Sequence, residues 1–147
     1  FVDQETFNTM EENDQFVEWA HVHGNSYGTS LKEIKTAASN QMDLIFDIDY
    51  QGARQIKERY SDAIAIFILP PSIDELKRRL SSRGTETPES LEKRFTAALG
   101  EISHFEEFDF LLVNDNIDDA YDKLRSILVS QRITTSKVKE NAKKLLS

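Results

Sequence analysis

Two aspartates at the end of a short apolar segment are the first candidates for chemistry in this sequence. Four of the five residues at 44–48 are apolar. Such a continuous run predicts a strand buried in a parallel sheet that is covered on both faces. Asp47 and Asp49 would share a face of that strand, near the carboxyl end where ligands of α/β sheets bind. The pair could hold Mg²⁺ through water or accept a hydrogen bond from a ligand amine, but a helix N-cap beside one solvated acid explains the same spacing.

A second candidate cluster lies where Glu18, Tyr27 and Thr29 flank a glycine-containing segment. Residues 25–28 are typical of a turn, which would bring the carboxylate, the phenol and the hydroxyl together. A carboxylate can accept two parallel hydrogen bonds from adjacent N–H groups, a donor pair that guanine presents and adenine lacks. The cluster could therefore bind a planar base and its phosphate. A tight hairpin with exposed polar residues is the alternative.

Three arginines form the third candidate cluster. Arg79 and Arg83 are four positions apart, which predicts that they share one helix face, and Arg94 is on the next predicted helix. Forked guanidinium groups on segments that are bounded by proline and glycine are suited to clamp phosphoryl groups. Solvated helix faces are the alternative, because most arginines are exposed.

The scaffold that would position these residues is predicted to alternate strands and helices. Capping boxes start helices after Ser30 and Ser72, while Thr87 followed by Pro88 starts a longer one. Asn116 caps the last amphipathic helix. Such alternation indicates an α/β fold around a parallel sheet. The predicted strands are 16–22, 44–48, 63–69 and 110–113. The helix after Ser30 is predicted at 31–39, and the other predicted helices are 5–12 and 51–60.

The composition argues against several classes of protein. The chain has 147 residues, no cysteine and a formal net charge of -8, which excludes disulfides and thiolate metal sites and argues against a nucleic-acid partner. No apolar segment approaches the ~20 residues of a membrane span, and no signal peptide is apparent, so we expect a cytoplasmic location. The basic segment 132–147 predicts a solvated terminal helix. A zinc site is only weakly indicated, by His21, His23 and His104.

Taken together, these motifs resemble those of guanylate kinase, a nucleoside monophosphate kinase family, over nearly the whole chain. The resemblance implies a P-loop-kinase-like parallel sheet flanked by helices, with GMP-binding and lid segments. The implied segments are the remainder of the GMP-binding region at 1–32, core at 33–71, the lid at 72–99, and core with the basic tail at 100–147. The motifs that carry it, in order, lie at 18–20, 24–29, 47–54, 68–72, 79–86, 93–94 and 113–115.

The resemblance also implies a role for each acidic and hydroxyl candidate. Glu18 and Thr29 would hold guanine, and Tyr27 would contact the GMP phosphate. Asp49 would assist guanine binding. Asp47 would be a catalytic residue, near the transferred phosphoryl group and near Mg²⁺, in contact with the ion through water.

The basic candidates would act on the phosphates. Arg79, Arg83 and Arg94 would be catalytic residues that clamp the nucleotide phosphates as the lid closes. Asn114 would approach the ATP adenine, and Arg79 and Arg83 would also contact ATP. The implied reaction transfers a phosphoryl group from MgATP to GMP or dGMP in purine nucleotide metabolism, giving GDP or dGDP and ADP. The family resemblance leaves open whether the protein is a monomer or a dimer.

One family motif is absent from the sequence, the phosphate loop Gly-x-x-x-x-Gly-Lys-Ser/Thr. That loop cradles the β- and γ-phosphates of ATP, and in the family it comes first in the chain. We therefore expect this stretch to be a piece of a longer kinase, without the N-terminal strand and loop, and to be inactive by itself. The alternative is a catalytically dead guanylate-kinase-like module that binds proteins. The presence of Glu18, Asp47 and Asp49 favours the enzyme.

Overall fold

A computed structural model of the chain describes residues 1–22, 24–82 and 87–146, with helices, a hairpin and a small parallel sheet. This mixture confirms the predicted α/β class. The chain divides into two compact units. Unit 1 consists of Phe1–Ala65 and Glu106–Phe108, and unit 2 consists of Ile66–Phe105 and Asp109–Ser147. The segment boundaries that the family resemblance implies stay predictions.

Unit 1 is built on an antiparallel hairpin. Strand β1 (Phe16–Val22) pairs with β2 (Asn25–Ser30). The predicted turn at 25–28 is wrong, because these residues belong to β2. The chain reverses before them, at a point where Gly24 has a φ of 81°, a left-handed conformation that glycine adopts without steric cost. The helices of unit 1 are α1 (Gln4–Glu12), α2 (Leu31–Ser39) and α3 (Tyr50–Arg59).

Polar side chains cap the first two helices of unit 1. The carboxylate of Asp3 accepts a hydrogen bond from the backbone N–H of Thr6 at 2.8 Å. The hydroxyl of Ser30 accepts one from the backbone N–H of Glu33 at 3.4 Å. Each cap satisfies an N–H group that has no partner inside the first helical turn. The predicted start of α2 is confirmed, and α1 begins one residue earlier than predicted.

The apolar core of unit 1 joins its helices to β1. Phe7 of α1 packs on Phe16 of β1, with their ring centroids 4.6 Å apart. Val17 is 1% exposed, and Ala37 of α2 and Ile56 of α3 are also buried. Burying a large apolar side chain stabilises a fold by about 1.5–3 kcal/mol. These contacts hold α3 beside the hairpin strand β1, and the candidate site is formed by the hairpin and by the segment that precedes α3.

The predicted strand at 44–48 is absent. Residues 42–49 belong to no helix or strand, and Leu44 and Ile45 are 43% and 78% exposed. An apolar run becomes a buried strand only where neighbouring strands bond its edges and other elements cover its faces. Among the described residues no strand pairs with this segment. The predicted strand–helix–strand arrangement around α3 is therefore wrong in its first strand.

The described residues of unit 2 form a parallel strand pair and four helices. Strand β3 (Ile66–Leu69) runs parallel to β4 (Phe110–Val113), which confirms the predicted strand at 110–113 and shortens the one at 63–69. Leu112 of β4 is buried. The helices are α4 (Ile73–Ser81), α5 (Pro88–Ile102), α6 (Ile117–Arg132) and α7 (Thr135–Lys144). A 3₁₀ turn at Phe105–Glu107 begins in unit 2 and ends in unit 1.

Three helices of unit 2 begin at the predicted caps. Ser72, Thr87 and Asn116 each accept a hydrogen bond from a backbone N–H group in the first turn of the helix that follows. Helices α4 and α5 are joined by the ammonium of Lys77, which lies 4.7 Å from the ring centroid of Phe95. Helix α7 confirms the predicted helix in the basic tail. In the described parts of the chain, no helix has both the length and the apolar composition that a membrane span requires.

Candidate functional site

Five of the predicted site residues line one open cavity of about 440 Å³ in unit 1, called here the unit 1 cavity. The hairpin contributes one wall and the segment that leads into α3 contributes another. The sequence predicted these acidic clusters separately, and the structure brings them together. The lining residues are Glu18, Tyr27, Thr29, Asp47 and Asp49, with Ala20, Gly28 and Ile48.

Glu18 is the buried acid of the unit 1 cavity. The residue is 4% exposed, and its Oε1 accepts a hydrogen bond from Thr29 Oγ1 at 2.6 Å. The two residues are direct partners across the hairpin, so the strand register brings them together. Burying a carboxylate is costly unless hydrogen-bond donors satisfy it. A buried acid in a cavity wall is therefore suited to receive N–H donors from a ligand.

Asp49 caps α3 and also lines the unit 1 cavity. Its Oδ1 accepts a hydrogen bond from the backbone N–H of Gly52 at 3.0 Å, and its Oδ2 accepts one from the Gln51 amide at 3.1 Å. Asp47, two residues earlier, is exposed in the same wall. The capping alternative is thus confirmed for Asp49. The Asp49 side chain therefore both caps α3 and lines the cavity.

Gly52 lies outside the predicted site but bounds it. A Cβ atom at Gly52 would lie 3.0 Å from Glu18 Oε2 and 3.2 Å from the Cβ of Ile48. The absence of a side chain therefore lets the first turn of α3 approach the buried carboxylate. The available signal was a glycine inside a helix, which lowers helix propensity and commonly marks a close approach.

Gln55 was also missed, and it connects α3 to β1. Its Oε1 accepts a hydrogen bond from the backbone N–H of Trp19 at 3.0 Å, and its Nε2 donates one to the backbone carbonyl of Trp19 at 2.8 Å. The two residues are 36 positions apart in the sequence. No local pattern indicates a contact of this kind.

In unit 2, two of the predicted nucleotide-binding residues are in direct contact. Arg79 donates from Nη2 to the backbone carbonyl of Asn114 at 2.9 Å and from Nε to Glu75 at 2.6 Å. The Asn114 N–H donates to the carbonyl of Leu69 at 2.8 Å. Arg79 and Asn114 thus meet beyond the carboxyl ends of β3 and β4, the edge of a parallel sheet where ligands commonly bind.

Hydrogen bonds from two arginines change the pKa of Glu75. The side chains of Arg78 and Arg79 donate to its carboxylate and lower the pKa of Glu75 from 4.5 to about 2. This arrangement holds Arg79 toward Asn114 at neutral pH.

The predicted grouping of Arg83 and Arg94 with Arg79 stays a prediction. Helix α4 ends at Ser81, before Arg83, which lies outside the described residues. Arg94 is half-buried on α5 and has interactions of its own. The clamping roles of all three arginines stay predictions.

A dedicated metal centre is absent from the described residues, since no group of three or more His, Asp or Glu side chains is placed to hold a metal ion. Mg²⁺ is commonly held by one or two carboxylates together with water and substrate phosphates. The exposed carboxylate of Asp47 fits that mode. The weak zinc prediction gains no support, because His21 contacts Ser26 at 2.8 Å and His23 lies outside the described residues.

Comparison with known proteins identifies what this arrangement is similar to. The family model described as "Guanylate kinase" matches residues 1–131. The chain is 41% identical to a guanylate kinase of Geobacter sulfurreducens over 147 residues, which is 100% of this chain and 72% of that protein. It is 47% identical to a guanylate kinase of Shewanella sp. (strain MR-7) over 134 residues, which is 91% of this chain and 65% of that protein.

A solved structure gives the same result. The crystal structure of guanylate kinase from Anaplasma phagocytophilum matches with a TM-score of 0.77 at 33% sequence identity, covering 93% of this chain and 66% of that one. The chain therefore spans 65–72% of the length of these relatives.

Proposed function

Because the chain belongs to the guanylate kinase family, we propose that the unit 1 cavity binds GMP or dGMP for phosphoryl transfer from MgATP, giving GDP or dGDP and ADP. The observation that carries this proposal is the buried Glu18 carboxylate, bonded to Thr29 in the wall of an open cavity. Guanine presents two adjacent N–H donors to such a carboxylate, whereas adenine presents an acceptor beside its amino group. Adenine would place an acceptor against the buried acid and would offer it no donor pair, which is strongly disfavoured.

The remaining cavity residues have matching roles in this proposal. Tyr27 is 59% exposed, so its hydroxyl is accessible to the GMP phosphate. Asp49 assists guanine binding from the N-terminus of α3. Asp47 would hold Mg²⁺ through water, and the ion would supply charge neutralisation for the phosphates.

The proposal assigns the ATP-facing work to unit 2. Arg79, Arg83 and Arg94 clamp the phosphates, and Asn114 contacts the adenine. The hydrogen bond between Arg79 and the carbonyl of Asn114 supports a shared task for these two residues. Catalysis of phosphoryl transfer consists mainly of positioning and electrostatic stabilisation, which these side chains can supply without a covalent intermediate.

Titration calorimetry with GMP and AMP tests the proposal. We expect the chain to bind GMP in preference to AMP, and Glu18→Gln to weaken GMP binding by roughly 10- to 100-fold, as expected for the loss of a charged hydrogen bond. Glu12→Gln, on the exposed side of α1, is the matched control and should bind GMP like the wild type. Equal affinity for GMP and AMP would contradict the proposal. Binding of phosphopeptides without nucleotides would assign the chain to the protein-binding modules instead.

A further inference from the structure

Three residues of α3 lie on the helix face that packs against β1. Gly52, Gln55 and Ile56 are three and four residues apart, the spacing that places side chains on one helix face. Gly52 and Ile56 are buried, and Gln55 forms its two hydrogen bonds with Trp19 on this same side. The helix is thus joined to the strand by polar contacts as well as by apolar packing.

The Gln55 amide acts on β1 as a neighbouring strand would. In an antiparallel ladder the N–H and C=O of one residue point to the same edge. Trp19 directs both groups to the Gln55 amide, so they lie on the edge of β1 away from β2. The Gln55 side chain therefore satisfies both backbone groups of Trp19 at the outer edge of the strand. It also sets the separation of α3 from β1.

That separation determines the relative positions of the Glu18 and Asp49 carboxylates in the unit 1 cavity. Glu18 immediately precedes Trp19 on β1, and its Oε2 lies close enough to α3 that a Cβ atom at Gly52 would be 3.0 Å from it. Asp49 is bonded to the Gly52 N–H, so it moves with the first turn of α3. A shift of α3 along or away from β1 would change the position of Glu18 relative to Asp49.

We propose that Gln55 is a positioning residue for base recognition, which sets the Glu18 and Asp49 carboxylates by tying α3 to the outer edge of β1. The inference rests on the proposed binding of GMP in the unit 1 cavity. Gln55 is absent from the lining of that cavity, so it acts through Glu18 and Asp49 and does not touch the base.

The test is the preference of the chain for GMP over inosine monophosphate, measured by calorimetry. The two nucleotides share ribose and phosphate and differ in the 2-amino group, which is one of the donors offered to Glu18. We expect Gln55→Leu to lower GMP affinity by roughly 10-fold. The ratio of the affinities for GMP and inosine monophosphate should then fall toward one. Gln55→Glu keeps the acceptor for the Trp19 N–H but places an oxygen against the Trp19 carbonyl. This variant should also lower GMP affinity and the preference for GMP.

The outcomes separate the two proposals. Gln4→Leu, on the exposed side of α1, is the control and should keep the wild-type preference. Folded Gln55 variants that retain the full preference would overturn the positioning role alone. Equal loss of affinity for both nucleotides, or failure of both variants to fold, would reduce Gln55 to a structural residue and also overturn it. A wild-type chain without any preference would overturn the GMP assignment itself.

Discussion

Glu18, at the residue scale, has different surroundings at its two carboxylate oxygens. Thr29 donates to Oε1 at 2.6 Å, while a Cβ atom at Gly52 of α3 would lie 3.0 Å from Oε2. A buried carboxylate held by a hydrogen bond is partly preorganised for a ligand, because less side-chain freedom remains to be lost on binding. The glycine at position 52 therefore contributes to the geometry of the cavity by leaving room for the acid.

We predict that Gly52→Ala weakens GMP binding although alanine favours helix. A methyl group 3.0 Å from Glu18 Oε2 would displace the carboxylate or α3 by a few tenths of an ångström. Gly100→Ala in α5 is the matched control, because a Cβ there meets no atom within 4 Å. The control should stabilise the chain by about 0.5–1 kcal/mol without changing GMP affinity. Thermal unfolding and calorimetry check both variants, and unchanged GMP affinity in Gly52→Ala would contradict this account.

At the scale of elements, helix starts could be read from the sequence and strand partners could not. Ser30, Ser72, Thr87 and Asn116 were correctly predicted as caps, because a cap bonds to residues two or three positions away. The segment 44–48 was wrongly predicted as a strand, because strand formation depends on residues distant in sequence. The hydrogen bonds of Gln55 could not be predicted from the sequence for the same reason.

Helix α4 carries a pH-dependent contact that can be measured. Hydrogen bonds from Arg78 and Arg79 lower the pKa of Glu75 to about 2, from 4.5. A lowered folded-state pKa means that the contact contributes fully above about pH 4.5 and is lost as the pH falls through about 2. We expect the side-chain carbon resonance of Glu75 to show an ionised carboxylate at about pH 3.5, where ordinary glutamates are mostly protonated. Arg78→Gln should raise the titration midpoint, and a wild-type midpoint near 4.5 would refute the contact.

The whole molecule combines an acidic net charge of -8 with two compact units. The four residues predicted to bind GMP and the predicted metal-site residue Asp47 all lie in unit 1, whereas Arg79, Arg94 and Asn114 belong to unit 2. The ordered motifs were sufficient to identify the family and the α/β class. They were insufficient to describe the pocket, whose geometry depends on the register of the hairpin and on the approach of α3.

We predict little or no phosphorylation of GMP by the 147-residue chain, since its sequence has no phosphate loop to cradle the β- and γ-phosphates of ATP. A coupled assay that detects ADP release with MgATP and GMP measures this directly, beside a guanylate kinase of known activity. GMP binding by the same preparation should persist. Turnover comparable to that of the active enzyme would show that another part of the chain performs the task of the loop.

Trp19 has a practical consequence that follows from the hairpin. It is the single tryptophan of the chain, and because side chains alternate along a strand its indole lies on the face of β1 opposite Glu18, with the ring centroid 5.3 Å from that of His21. Selectively excited fluorescence therefore reports on unit 1 alone, while circular dichroism records the helices of both units. An offset between the two melting curves would show that the two units unfold at different temperatures, in one sample and without a label or a truncation.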